Sequence, residues 1–390
     1  MTPERTPPTA VMLFGFWPPA TALTSELATN ETLRYESVQP GCLIRIGPTG
    51  VTRNDQAGPE LPAALVRDLL TAAEPGGGDL LVVLPESCEP DQIRAAWAAH
   101  AEPHAARLGT LITVVPADLL LDGLTSEDTL RSAGLHQNAA DERSISDVVA
   151  RQIEQADAVL VTGRPDGDDD DEWEAEQLRV LLHRLAPWAV HLHLDDGRLP
   201  AIAHRPARQH AVLAPPTRGL QGLLVGTHEP LSCNGVVSCV FKARRPFHPA
   251  RLHHALDDVT EQVLRSRGHF WLASRPDLVL SWESAGDLTL GPVSGWLADL
   301  PDEHWSEVDE QRRLAAALDW DPYYGDRHQH LAFIGFDIDP VRIHRILAGC
   351  LLTDEELSRG DNAWRQLPDP FAKAYPAPAL SNHARSKDDR

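Results

Sequence analysis

"VMLFGFWPPATAL", residues 11–23, is an unbroken apolar run that stops at Gly15 and soon meets Pro18 and Pro19. Apolar residues in succession, without the alternation of a half-exposed strand, mark a strand buried on both faces of a parallel sheet. Residues 80–84 (LLVVL), 111–115 (LITVV) and 158–162 (AVLVT) repeat the pattern. Between them lie helical stretches, "ELPAALVRDLLTAAE", "EPDQIRAAWAAHAEPHAARL" and "SISDVVARQIEQA". This alternation predicts a doubly wound α/β domain with right-handed crossovers. The loop after its first strand, residues 14–23, is where a nucleotide-binding sheet places its phosphate loop.

After "LRVLLHRLAPWAVHLHL" the pattern breaks in a stretch rich in Pro and Gly. The expected division is an α/β domain at 1–205, a linker at 206–232, a second domain at 233–358 and a partly disordered extension at 359–390. In the second domain "VVSCVFKA" (236–243) reads as a strand. Pro249 then opens a helix, "PARLHHALDDVTEQVLRS", whose Leu252, Leu256, Val259 and Val263 share a face. Three strand candidates follow ("HFWLAS", "LVLSWES", "DLTLGP"), then a helix around 305–319, a strand "LAFIGFDI" and a helix "PVRIHRILAGCLL". The pattern predicts an α+β domain of ferredoxin-like type. From about Ala374 the tail has too little apolar content to pack.

A chain of 390 residues is long enough for two or three domains, and its 42% hydrophobic and 24% charged residues are those of a globular protein. No apolar run approaches the roughly 18 residues of a membrane span, and the N-terminal apolar stretch ends in Pro-Pro without a cleavage pattern, so no signal peptide is expected. Five scattered cysteines (Cys42, Cys88, Cys233, Cys239, Cys350) make a disulfide framework improbable and point to a cytoplasmic chain with reduced thiols. The net charge of −22 argues against DNA or any phosphate backbone as a non-specific partner and favours a basic protein. Part of that charge is "DGDDDDEWEAE" (166–176), read as a solvated acidic loop entering a helix or as a contact surface.

Taken together, "FKARRPFHPARL" (241–252), "RGHFWLASRPD" (267–277), "WESAGD" (282–287), "GDRHQHLAFIG" (325–335) and "LLTDEE" (351–356) resemble the C-terminal domain of CobW-type proteins over about 125 residues in one collinear order. The resemblance implies a two-domain GTPase tied to zinc and cobalt handling, with a P-loop-NTPase-like N-terminal domain. A P-loop needs G-x-x-x-x-G-K-[ST], whose amides cradle phosphate, whose lysine neutralises it and whose hydroxyl binds magnesium. Counting from Gly15, the chain places Ala20 at the second glycine, Thr21 at the lysine and Ala22 at the hydroxyl position. Pro18 and Pro19 also remove two amide donors. After residues 80–84 the family's acidic residue and glycine become "PESCEP", with Glu86 and Glu89 the acids present. The guanine-reading N-K-x-D becomes "TGRP" (162–165), followed by Asp166. The metal motif G-C-x-C-C becomes "GCLIR", which retains Cys42 alone, and one thiolate cannot make a tetrahedral zinc site.

These losses suggest a degenerate nucleotide site. Within the CobW-type group, the eroded loop, "RPDLVLSWESAGD" and the ending "WRQLPDPF" (364–371) are similar to a subset described as ribosome hibernation factor-recruiting factors, produced under zinc limitation. That resemblance implies a zinc-limitation adaptor that brings a hibernation-promoting factor to the small subunit of the ribosome without efficient GTP hydrolysis and with no required cofactor. The alternative it leaves open is a GTP-dependent zinc metallochaperone with an altered site for GTP and magnesium.

Two polar clusters remain. Lys242, Arg244, Arg245, His248 and Arg251 form the densest basic cluster, which could bind an acidic partner or rRNA phosphate, or pack against the acidic first half. Asp326, Arg327, His328 and His330 form a second; the two histidines share one face of a strand, metal-ligand spacing only if other ligands join them. Cys233 and Cys239 read more readily as ordinary small residues than as ligands, and Trp271, Trp282 and Trp296 as core or rim aromatics. No nucleophile with its base, and so no catalytic residue, stands out.

Overall fold

Strand β1 (Thr9–Phe14) is the centre of the N-terminal sheet, and Ala10 to Phe14 are at most 3% exposed because helices cover both faces. The structure, a computed structural model, describes residues 7–16, 31–39, 42–54, 60–73, 78–100, 106–138, 140–163, 169–194, 196–205, 232–308 and 310–372. The strands that follow are β2 (Glu31–Gln39), β3 (Cys42–Gly47), β4 (Gly50–Asn54), β5 (Leu80–Val83), β6 (Arg107–Pro116), β7 (Ala158–Thr162) and β8 (Val190–His193). Between them lie α1 (Leu61–Ala72), α2 (Pro90–His100), α3 (Leu120–Leu124), α4 (Ile145–Glu154) and α5 (Asp169–Leu185), and α6 (Leu199–Ala203) follows β8. Across the sheet the order is β4-β3-β2-β5-β1-β6-β7-β8, parallel from β2 to β8.

The sequence analysis assigned no strands to 31–54, where the structure has an antiparallel meander of three. In β2 only alternate residues, Leu33 and Tyr35, are buried, so polar neighbours dilute the apolar signal. This edge is tied to α1 through Asp68, which accepts from Tyr35 Oη at 2.9 Å and Arg45 Nη1 at 3.0 Å. A second correction concerns the stretch read as helical to residue 108. The helix ends at His100, and Arg107 and Leu108 already belong to β6, which exceeds the predicted 111–115.

The C-terminal domain has β9 (Val236–Ala243), α7 (Pro249–Thr260), β10 (Val263–Phe270), β11 (Leu278–Ala285), β12 (Asp287–Gly295), α8 (Glu310–Leu318), β13 (Gln329–Phe336), α9 (Pro340–Cys350), α10 (Asp354–Ser358) and α11 (Asp361–Trp364). Its antiparallel sheet runs β12-β11-β10-β13-β9, so β13 splits the β9-α7-β10 unit. α7 and α9 cover one face over a core that includes Phe247, Phe270, Trp282 and Phe333. Val263, expected on the helical face of α7, opens β10 instead: the helix stops at Thr260 and Gln262 turns the chain at φ 60°. Gly268 in β10 is obligatory, since a Cβ there would lie 1.9 Å from the His330 carbonyl oxygen. Residues past 358 pack on this domain, with Trp364 and Phe371 buried and Asp369 accepting from Arg275 Nε at 2.7 Å. The expected linker lies almost wholly outside the described residues.

The opposite sheet face meets the N-terminal domain. One apolar cluster crosses the boundary, uniting Val149 and Ile153 of α4 with Val236, Ala285 and Ile334. Beside it Arg265 Nε donates to Glu154 Oε1 at 2.7 Å, while Arg265 Nη2 donates to Glu154 Oε2 at 3.0 Å and to Glu283 Oε2 at 2.6 Å. Arg267 completes the square, giving Nη1 to Glu154 Oε2 at 2.8 Å and Nε to Glu283 Oε1 at 3.0 Å. The side chains of Glu154 and Arg265 are 0% and 1% exposed. Burial alone would raise the Glu283 carboxyl, but Arg265 and Arg267 outweigh it and hold it below the usual carboxylate range. Its contribution is therefore complete above about pH 4.5 and is lost as pH falls through the lower folded value.

Removing one member leaves a buried charge without its counterion. Glu154→Gln should cost about 3–5 kcal/mol in urea unfolding followed by tryptophan fluorescence, and the double change Glu154→Leu with Arg265→Met should cost less than Glu154→Gln. A cost below about 1 kcal/mol for Glu154→Gln would mean that the cluster is hydrated and does not join the domains.

Candidate functional site

β1 lies between β5 and β6, so the loops leaving these strands diverge at the carboxyl edge of the sheet, the place where open α/β sheets bind ligands. Gly15 has φ +140°, and a Cβ there would come 2.7 Å from the Val114 carbonyl oxygen. Close backbone approach thus demands this glycine whether or not phosphate binds. Ala20, Thr21, Ala22 and Asp166 lie outside the described residues.

The loop after β5 is pinned from two sides. Gln152 on α4 donates Nε2 to the carbonyls of Glu86 at 2.7 Å and Cys88 at 2.8 Å, and Gln137 Nε2 donates to that of Ser87 at 2.7 Å. Glu89, with a side chain 4% exposed, pairs with Arg143 and lies 3.8 Å from Arg151. Arg143 also grips Asp141 with two hydrogen bonds of 2.8 and 2.9 Å, and Arg151 faces Asp147 at 3.6 Å. The two cations beside this loop are thus engaged by carboxylates of the chain itself. Burial lifts the Cys88 thiol to about 12, far from the thiolate form needed for chemistry.

Cys42 is 2% exposed in β3. The cysteines at the other end of the sequence reading also separate: Cys233 is exposed, while Cys239 is buried in β9 with its thiol raised by desolvation to about 12. His328 and His330 do share a face, and a third imidazole joins them from β10. His269 is cross-strand partner of His330, and its Nε2 lies 3.1 Å from His328 Nε2. The His269 and His328 rings meet edge to face, 4.4 Å apart with an interplanar angle of 86°. Among the described residues no group of three His, Cys, Asp or Glu side chains is arranged to hold a metal ion.

The basic cluster is largely spent inside its own domain. Arg244 pairs with Asp319 at 2.7 Å, Arg245 with Asp354, and Arg251 with Glu356 through bonds of 2.8 and 2.7 Å. His248 caps α7 by accepting from Arg251 N, and Lys242 is exposed on β9. Asp326 organises a turn, its carboxylate accepting from Leu297 N at 2.8 Å and Ala298 N at 2.9 Å, and Arg327 pairs with Asp299. Trp271, Trp282 and Trp296 are at most 4% exposed. Sequence reasoning missed Glu154, Arg265, Glu283, Gln137, Gln152 and His269, each of which acts only through a partner distant in sequence. The described part of the acidic run belongs to α5, where Trp173 is 51% exposed.

Residues 236–351 match the cobalamin synthesis protein cobW C-terminal domain. Over 286 residues the chain is 34% identical to the zinc chaperone Rv0106 of Mycobacterium tuberculosis, covering 70% of this chain and 63% of that protein. Over 279 residues it is 31% identical to zinc-regulated GTPase metalloprotein activator 1 of Dictyostelium discoideum, covering 68% and 56%. The chain thus spans less than two thirds of either relative. The Zn(II)-bound YjiA GTPase from E. coli aligns over 89% of this chain and 100% of its own, with 16% identity and a TM-score of 0.33. The chain carries a CobW C-terminal domain and is homologous to zinc-regulated GTPase metalloprotein activators. Of the two functions the sequence analysis left open, the relatives' names favour the zinc-chaperone one.

The histidine cluster has a pH signature. Burial, then the neighbouring imidazoles, push His269 well below its ordinary value, and burial lowers His328. An unfolded chain takes up these protons as pH falls through about 6.5 while the folded one does not, so stability should decline below that pH. Melting temperature measured from pH 8 to 5 should be level above about 7 and fall below it, and His269→Leu should flatten the fall. An unchanged slope in His269→Leu would show that His269 takes up its proton as readily in the folded chain as in the unfolded one.

Proposed function

We propose that this chain is a zinc-homeostasis protein that carries a CobW C-terminal domain and engages a protein client without a GTP-driven cycle. The observation that carries the reading is its lysine content. Lys242, Lys373 and Lys387 are the only lysines of the sequence, so the N-terminal domain offers none to replace the one missing at Thr21. A triphosphate would bring several negative charges to a loop without that cation, in a chain of net charge −22. Each charge-assisted hydrogen bond forgone is worth about 1.5–3 kcal/mol.

The pinned loop after β5 supports the same reading. For that loop to follow a γ-phosphate, the bonds from Gln137 and Gln152 and the Glu89–Arg143 pair would have to break, at about 0.5–1.5 kcal/mol for each neutral bond and more for the ion pair. Zinc enters through the names of the homologues. Recruitment of a hibernation-promoting factor to the small ribosomal subunit is a narrower form of client binding, and the acidic surface suits it, since ribosome-associated proteins are commonly basic.

Adding GTP with magnesium should leave the thermal melting curve in place. Ligand at about one hundred times its dissociation constant adds about 2.7 kcal/mol to a native state that alone binds it, so a clear upward shift would overturn the reading in favour of a GTP-dependent metallochaperone. Sucrose-gradient sedimentation from zinc-starved and zinc-replete cells tests the narrower form. It predicts co-migration with the small subunit in starved cells alone, and a chain that stays at the top of both gradients removes the ribosome as partner.

A further inference from the structure

Helix α8 and the turn after it carry a face that the other described residues leave exposed. Leu314 is 60% exposed, Leu318 81%, Trp320 42% and Tyr323 70%. Single exposed apolar residues are ordinary, but here four large ones lie within ten positions, a grouping of the kind found at protein interfaces. Two of them are aromatic, the type that dominates binding energy in such patches.

The patch is braced from beneath. Trp305 packs against Trp320 with ring centroids 5.6 Å apart. Tyr324 sets its ring edge-on to Tyr323 at 4.7 Å and touches the buried Trp271 at 6.0 Å. Asp321 Oδ1 accepts from the amides of Tyr323 and Tyr324, both at 2.8 Å, and the Asp321 and Gly325 backbones exchange hydrogen bonds of 2.9 and 2.8 Å. Gly325 has φ +66°, and a Cβ there would sit 2.4 Å from Ala298 Cβ, so the turn closes tightly on the sheet domain. A surface held in this way loses little conformational freedom on binding.

Charge selects the occupant. Residues 302–326, "DEHWSEVDEQRRLAAALDWDPYYGD", hold eight carboxylates and two arginines, and although Asp319 is paired with Arg244 the surface keeps an excess of negative charge. Glu303, Glu307 and Glu310 are exposed. A second copy docked face to face would set two such negative surfaces against each other, and nucleic acid or an anionic lipid surface would be repelled in the same way. A basic chain gains from all three features. Its apolar residues cover Leu314 and Leu318, its guanidinium groups stack on the faces of Trp320 and Tyr323, and its remaining cations meet the carboxylates.

We propose that α8 and the turn 320–324 form the docking surface for a basic, amphipathic segment of a partner protein. The surface gives the client-binding reading above a location and rests on it. The test is fluorescence anisotropy of a labelled synthetic helical peptide, arginines on one face and leucines on the other, titrated with the full chain. Trp320→Ala combined with Tyr323→Ala should weaken binding by about tenfold or more. Leu318→Lys, at a position too exposed to affect folding, should weaken it as well. A peptide of the same charge with serine for leucine should bind the wild type more weakly than the arginine–leucine peptide does, since it cannot cover Leu314 and Leu318. Equal affinity of the wild type and both variants for the arginine–leucine peptide would overturn the proposal, leaving general acidity as the attraction. A wild-type dimer in sedimentation velocity that Leu318→Lys converts to monomer would overturn it in favour of a second copy. Neither result bears on the GTP melting curve, whose upward shift would instead remove the client-binding reading itself.

Discussion

The contact between Glu154 and Arg265 is the constraint on which the arrangement of the two domains depends. Glu154 ends α4 in the first domain, Arg265 lies in β10 of the second, and both are buried at the seam. Two charges removed from water attract each other strongly only if every remaining lone pair and proton finds a partner. Arg267 and Glu283 provide most of those partners, so four side chains from three elements must be in register at once. Such a cluster contributes less to net stability than its bonds suggest, since desolvation offsets much of the attraction. What it does supply is specificity of docking: a sheet displaced by one residue would bury unpaired charge.

Helix α4 carries this constraint back to the edge of the parallel sheet. Its Val149 and Ile153 enter the shared apolar cluster, Ser146 Oγ donates to the Ala285 carbonyl at 2.6 Å, and Gln152 holds the carbonyls of the loop after β5. One helix therefore ties the loop after β5 to the C-terminal domain. Beside that loop Arg143 and Arg151 are paired with carboxylates of the chain itself. The relatives are named for zinc chaperoning and for GTPase metalloprotein activation.

Much of this was legible before any coordinates. The four apolar runs became β1, β5, β6 and β7, because a strand buried on both faces has no polar positions to obscure it. The collinear blocks from Phe241 onward identified the second domain, and the substitutions at Ala20, Thr21 and Ala22 were plain from spacing alone. The strands at 31–54 were not legible, because an edge meander buries only alternate residues. Val263 read as helix because it continues the apolar spacing of Leu252, Leu256 and Val259, and only the turn at Gln262 and the pairing of β10 with β13 make it a strand residue.

The sequence by itself determined the fold classes, the erosion of the nucleotide motif and the acidic balance, since each depends on local periodicity, motif spacing or composition. Tertiary structure alone decided which charges are buried and which aromatics are left outside. Arg244, Arg245 and Arg251 read as a binding cluster and became internal struts, whereas Trp320 and Tyr323 read as nothing in particular and became an exposed, braced surface. The physical reason is that the cost of burying a charge, and the value of exposing a ring, depend on what stands within a few ångströms. In this chain those neighbours are contributed by residues as far apart as 113 positions, the separation of Glu154 from Arg267.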